Sequence, residues 1–308
     1  MSSVDVGCLV EDTIVTDVGR SIDDVCGMDE VKAALKDHVI SPLKTGSLTC
    51  PLRILLCGAP GTGKSYLVRS LAKDILPVPM YACHCCDLIS KWYGEVDFRR
   101  KLFQHAASRE TGAVMLLDEL ETICTPHYAN LFEVLIEELV KLPPNVVVII
   151  NSLRPWTIPA NFLPVFNKIL YTPVPDREAR ANQIRSLLKD HLSPNDDDLG
   201  ILADIAEGLT AADITCFIQE AVKKPVRDLM EASFFVEKDG KMTPCDADTE
   251  GCIKTTAFDL IDLPDAEDKV SCRPLSLSDI RECLSRARPS TSEEEIGQFE
   301  EFLRQNAR

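Results

Sequence analysis

Two groups of residues in this sequence have the types and spacing to do chemistry together. The first is Gly58-Ala59-Pro60-Gly61-Thr62-Gly63-Lys64-Ser65, a complete G-x-x-x-x-G-K-[ST] pattern. Glycines at these spacings let successive backbone N–H groups wrap a phosphate chain, and a helix beginning at the lysine adds the positive end of its dipole. Lys64 can then reach the β- and γ-phosphates of a nucleoside triphosphate, while the Ser65 hydroxyl can ligate Mg²⁺. With Tyr66 directly behind it, the stretch from Gly58 to Tyr66 supplies the candidate nucleotide contacts.

The second group is Val114-Met115-Leu116-Leu117-Asp118-Glu119, four apolar residues ending in two acids. A buried strand of this kind delivers Asp118 to the metal side of the P-loop. Glu119 is then placed to polarise an attacking water as a general base. A strand ending in Asp-Glu is common by itself. Downstream of a complete P-loop it makes two independent parts agree, and Lys64 and Glu119 become the candidate catalytic pair.

Elements that could position these groups are legible around them. Short apolar runs at 53–57, 80–83, 114–117, 146–150 and 169–172 read as strands, several apolar throughout, as strands covered on both faces should be. Helical patterns at 64–75, 96–109 and 131–141 fall between them, so an α/β fold with a parallel sheet flanked by helices is expected. After Pro173 and Pro175 the alternation stops, and 177–189, 197–207 and 211–222 read as successive amphipathic helices. Turn-rich sequence breaks that all-α region at about 236–262 in a short β-hairpin insertion. Helical patterns return at 276–286 and 293–304, with Ser276 and Ser290 to Ser292 as N-caps. The expected organisation is a tail at 1–20, a large domain at 21–175, and a small helical lid at 176–308 that includes a final helix at 292–305.

Composition narrows the function classes. Net charge is −16, from 33 basic and 49 acidic side chains, a balance that repels phosphate backbones and speaks against nucleic acid as a partner. No run approaches the roughly 18 consecutive apolar residues of a membrane span, and the acidic amino terminus does not read as a signal peptide. The 13 cysteines are odd in number and scattered. Cys83, Cys85 and Cys86 flank His84 but lack a second pair at zinc spacing, so free thiols in a reducing, cytoplasmic compartment are expected.

The P-loop and the 114–119 run, preceded by SIDDVCGMDEVKAALKDHVISPLK, resemble AAA ATPases of the meiotic clade. Within the clade the likeness is greatest to the vacuolar protein sorting type, which disassembles ESCRT-III polymers during endosomal sorting. It spans about residue 21 to the carboxyl end, and rests further on DLISKWYGE at 87–95, KMTPC at 241–245 and RARPS at 286–290. The resemblance implies ATP and Mg²⁺ as cofactors and a homo- or hetero-hexameric ring. Its implied client is an ESCRT-III-like protein, with endosomal membrane reached peripherally through clients. It places Lys91, Trp92 and Tyr93 in a pore loop that grips an extended peptide, and Asp24 and Gly27 beside the adenine.

Departures from the family pattern matter as much. Where the family carries consecutive arginines that reach a neighbour's ATP, this chain reads Leu163-Pro164-Val165-Phe166. A gapless match anchored on Pro155-Trp156 puts Leu153 at the family's sensor asparagine, and Asn151 takes that role only if the strand register shifts by two. The stretch 122–131 is shorter than the family's second pore loop. Alternatives are a regulatory ATP-binding module with little hydrolysis and a microtubule-severing ATPase like katanin or spastin, whose connection at the β-insertion is generally shorter.

Overall fold

A computed structural model describes residues 10–17, 19–90, 98–238, 240–261 and 270–306. The chain divides into two compact units, one of residues 1–176 with 290–308 and one of residues 177–289.

The large unit is built on five parallel strands, β1 (Leu52–Cys57), β2 (Met80–His84), β3 (Ala113–Asp118), β4 (Val146–Ser152) and β5 (Lys168–Tyr171), in the order β2-β3-β4-β1-β5. Every residue of β3 and β4 is buried, which is why these central strands read as unbroken apolar runs rather than alternations. One face packs Ile54, Leu56, Val114, Leu116, Val147 and Ile149 beneath the helix Lys64–Asp74 through Leu67, Val68 and Leu71. The opposite face presents Met115, Leu117, Val148 and Ile150 to the helices Phe98–Ala107 and Ala129–Lys141. Parallel strands send all their carboxyl ends to one edge, so the loops after β1, β3 and β4 gather there.

Two features of this unit differ from the sequence expectation. Part of the presumed tail belongs to the sheet: Val15 N donates to Met80 O at 2.8 Å and Ala82 N to Thr13 O at 2.7 Å, so residues 13–15 run antiparallel along the outer edge of β2. This covers hydrogen-bonding groups that an open edge strand would leave bare. The terminal helix, Glu293–Asn306, packs on the large unit instead of closing the small one. Its Phe299 ring is 1% exposed against Cys57, Ala59 and Tyr171, and Phe302 enters the core beyond.

The small unit packs the helices Arg177–Leu188, Asp196–Ile205, Ala211–Glu231 and Leu277–Ser285 around Ile184, Leu202, Ile214, Ile218, Ile280 and Leu284. Asn195 caps the second helix, and capping boxes at Thr210–Asp213 and Ser276–Asp279 start the third and fourth. The third helix outruns the expected end at Val222 by passing through buried Pro225; tertiary packing there outweighs the local cost of a proline without an amide donor. An antiparallel sheet, β7 (Lys241–Pro244), β6 (Phe234–Lys238) and β8 (Ile253–Lys254) in that order, forms at the expected insertion. Arg273 bridges Asp228 and Asp279, and it holds the Asp279 carboxyl well below the usual carboxylate range.

Candidate functional site: a phosphate cradle with a metal-side triad

The P-loop's shape is enforced from β5. Thr172 N donates to Cys57 O at 2.8 Å, and a Cβ on Gly58 would stand 2.4 Å from Thr172 O and 2.2 Å from its Oγ1. Only glycine fits that approach. Gly63, at φ +99°, turns the loop into the helix that begins at Lys64. Thr62 is 2% exposed, its hydroxyl 2.9 Å from Ala59 O and 3.2 Å from Thr172 Oγ1.

Lys64 is 5% exposed and donates at 2.7 Å to both Gly58 O and Ala59 O, with Thr62 Oγ1 at 3.4 Å. The ammonium is thus folded back over the loop it serves. Burial pushes it down to about 8, against the upward pull of Cys57, Glu121 and Asp118. Beneath it, burial pushes the Cys57 thiol up to about 12, so this cysteine stays protonated as part of the floor.

Beside the cradle, three polar side chains meet on the face that carries the P-loop helix. Ser65 Oγ donates to Asp118 Oδ1 at 2.8 Å, and Asn151 Nδ2 donates to the same oxygen at 2.7 Å. Asn151 Nδ2 also lies 3.3 Å from Ser65 Oγ. Asp118 is 4% exposed and Asn151 2%. Asn151 Oδ1 is buried without a hydrogen-bond partner among the described residues.

Glu119 follows Asp118 with φ +60° and ψ +56°, a left-handed conformation rare for a side-chain-bearing residue. Its carbonyl is held by Thr122 N at 3.1 Å and Thr122 Oγ1 at 2.8 Å. Sequence reasoning missed Glu121, on the other face of the sheet. Its carboxylate accepts from Ser152 Oγ at 3.0 Å and Leu153 N at 3.1 Å, tying the end of β3 to the end of β4. The signal available was an acid two residues beyond the candidate catalytic residue Glu119, opposite a serine ending the neighbouring strand.

Other expected site residues are distributed differently. The carboxylate of Asp24 closes a capping box on Ser21, and the segment is moored to the P-loop helix by Asp74, which accepts from Ser21 Oγ and Ile22 N, each at 2.8 Å. The structure thus gives Asp24 a local capping task. Gly27 and Met28 both take positive φ, and Met28 Cε sits 3.5 Å from where a Gly63 Cβ would stand, so this turn does flank the P-loop. Met28 was not anticipated. Tyr66 is exposed on the P-loop helix, and its hydroxyl accepts from Arg20 Nη1 at 2.9 Å. Lys91, Trp92 and Tyr93 lie outside the described residues.

The residues fit a nucleotide with its metal. The cradle admits no side chain at Gly58, a cation stands over it, and a hydroxyl–carboxylate pair waits beside it with an unsatisfied amide oxygen. Ser65 and Asp118 would hold Mg²⁺, whose charge, when present, neutralises the β- and γ-phosphate oxygens.

Leu163–Val165, which the sequence resemblance matched to the family's arginines, forms a 3-10 turn whose Leu163 and Val165 pack on the core while Pro164 is exposed. Arg53 clamps this turn from below, donating to Val165 O and Leu139 O, each at 2.9 Å.

Comparison with known proteins agrees with this geometry. Residues 54–174 match the ATPase family associated with various cellular activities (AAA), and residues 242–306 match the Vps4 C terminal oligomerisation domain. Vacuolar protein sorting-associated protein 4B of Pongo abelii is 30% identical over 91% of this chain and 68% of its own length. The protein SUPPRESSOR OF K(+) TRANSPORT GROWTH DEFECT 1 of Arabidopsis thaliana is 29% identical over 92% and 68%. Among solved structures, the FIGL-1 AAA domain superposes with a TM-score of 0.78 at 21% identity, covering 98% of this chain and 95% of that one, which shows the shared fold. Cradle, acid pair and carboxyl-terminal match converge: the chain belongs to the AAA ATPase family, as a divergent member of the vacuolar protein sorting-associated protein 4 type.

Proposed function

We propose that this ATPase works in a ring of like or paralogous subunits and couples ATP turnover to the disassembly of ESCRT-III-like polymers, meeting endosomal membrane only through those clients. The observation that carries the reading is the Ser65–Asp118 contact at the P-loop of a chain whose carboxyl part matches an oligomerisation domain. In it, Lys64 binds the terminal phosphates, Glu119 takes the proton of the attacking water, and Ser65 and Asp118 hold magnesium. Lys91, Trp92 and Tyr93 are the residues assigned to grip the client. The oligomerisation match and the sorting-type relatives favour this function over microtubule severing. The test is to add the purified chain, ATP and magnesium to preformed ESCRT-III-like filaments and follow filament length by electron microscopy. Shortening that Glu119→Gln abolishes supports the proposal. Filaments left intact by the chain alone and by the chain mixed with a sorting-type paralogue would overturn it.

One observation favours a specialised version. The turn at Leu163–Val165 carries packed apolar side chains where an arginine would be supplied in trans. Self-activation is therefore weak in our reading, and the subunit is stimulated by a paralogue that brings the missing cation.

A further inference from the structure

Successive side chains of strand β4 point to opposite faces of the sheet, and Val147 and Ile149 lie in the apolar cluster beneath the P-loop helix. Asn151 continues that face at a position where burial alone would select another aliphatic residue. Its register is fixed: Leu117 pairs with Ile150, so the next residues, Asp118 and Asn151, are neighbours at the strand ends. A primary amide at 2% exposure is costly unless its groups are used.

Half of the amide is used. A carboxylate oxygen accepts and cannot donate, so the atom facing Asp118 Oδ1 at 2.7 Å must be the nitrogen. That choice fixes the orientation of the other half. The amide oxygen, on the same carbon and hence in the same site, has no partner among the described residues. It is an acceptor waiting for a donor, next to a hydroxyl and a carboxylate that form a hard-cation site. Magnesium sheds its water reluctantly and keeps several coordinated waters, each a strong donor. Outer residues that fix a ligand and bond its waters are a regular part of such sites.

We propose that Asn151 is a positioning residue of the magnesium site: Nδ2 locks the Asp118 carboxylate toward Ser65, and Oδ1 accepts a hydrogen bond from a water of the metal's own shell. The proposal rests on the assignment of Ser65 and Asp118 to magnesium and goes beyond it. It gives Asn151 a task at the metal, distinct from detecting the terminal phosphate. Leu153, which a gapless match would put at the family's sensor position, is excluded from this task because its side chain is apolar.

The test is the magnesium dependence of nucleotide binding by the full chain, read from the fluorescence of an N-methylanthraniloyl-labelled ATP analogue without and with increasing Mg²⁺. Asn151→Leu keeps shape and removes both polar atoms. Asn151→Ser is a milder variant that keeps a hydroxyl, and Leu153→Ala is the control. Thermal unfolding in metal-free buffer checks that each is folded. The expected result for Asn151→Leu is metal-free nucleotide affinity within about twofold of native, with a magnesium midpoint raised about tenfold, the low end for loss of such an outer residue. Asn151→Ser is expected to shift the midpoint less, and Leu153→Ala not at all. Equal loss of affinity with and without metal would overturn the proposal and make Asn151 a prop for the P-loop. An unmoved midpoint in both Asn151 variants, with hydrolysis reduced, would also overturn it. If magnesium does not affect binding by the native chain, the assignment of Ser65 and Asp118 fails first, and that failure is visible before any variant is compared.

Discussion

The hydroxyl of Thr122 lies 2.8 Å from the carbonyl oxygen of Glu119, holding the proposed general base in a left-handed backbone conformation. Such a conformation costs roughly 1–2 kcal/mol in a residue with a side chain. It turns the chain sharply after β3, so Asp118 finishes the strand while Glu119 leaves it. Thr122→Val removes the hydroxyl and keeps the shape. The expected outcome is a loss of about 1 kcal/mol of stability and a several-fold fall in kcat with KM nearly unchanged, measured by steady-state kinetics. A lower Tm with native kcat would show that the contact supports the fold and not the base.

Lys64 gives a pH dependence whose sign is fixed. Without nucleotide its ammonium lies at about 8, lowered by burial. Bound phosphates favour the charged form, so the value rises on binding and protons are taken up between the two. Affinity should therefore be flat below pH 8 and fall by up to about tenfold per unit above it. Calorimetry near pH 8.5 in buffers of different ionisation enthalpy should register the proton uptake. Lys64→Ala should lose nearly all affinity together with the pH dependence. An unchanged proton count in the variant would assign the titration to another group.

Gly58→Ala tests the close approach of β5. The added methyl group meets the Thr172 carbonyl oxygen as well as its side chain, so the backbone must shift. A loss of about 1–3 kcal/mol is expected from such overpacking, with nucleotide binding lost by fluorescence titration. Because the carbonyl remains, Thr172→Ala should not rescue it. Full rescue would mean that the hydroxyl alone made the conflict.

If the subunit lacks a trans-acting arginine, as proposed, one position can supply it. Pro164 is exposed, whereas Leu163 and Val165 pack on the core, so Pro164→Arg is tolerable and Val165→Arg is not. An arginine finger is worth about 10³–10⁵ in rate where it reaches its target. Even partial placement should raise turnover more than about tenfold at concentrations that force self-association. Brisk, concentration-dependent hydrolysis by the unmodified chain would sink the premise and direct attention to Arg154, exposed just after β4.

Much of the core was legible because its signals are local. The P-loop needs glycines at fixed offsets, and β3 and β4 are apolar throughout because both faces are covered. What escaped depends on which surface a segment chooses. Phe299 and Phe302 mark an apolar helix face, yet nothing in their spacing says that it packs on the large unit. Thr13 to Val15 looked like a tail because two bonds to β2 leave no pattern. Asn151 was obscured by a match anchored on Pro155-Trp156. Its parity with Val147 and Ile149 was the better guide, because a two-residue period already put it on the face of Asp118.

The Phe299 contact has a consequence for how the protein is made. Ribosomes release the P-loop early, but the aromatic ring that covers Cys57 and Ala59 comes from a helix synthesised after every other element described here. Until that helix emerges, the underside of the phosphate cradle is bare apolar surface, the kind that chaperones bind and that drives aggregation. Nascent chains and chains cut before Glu293 should therefore be recognised as unfinished, however complete their P-loop. Translation must pass Asn306 before the earlier-made P-loop can be trusted with nucleotide.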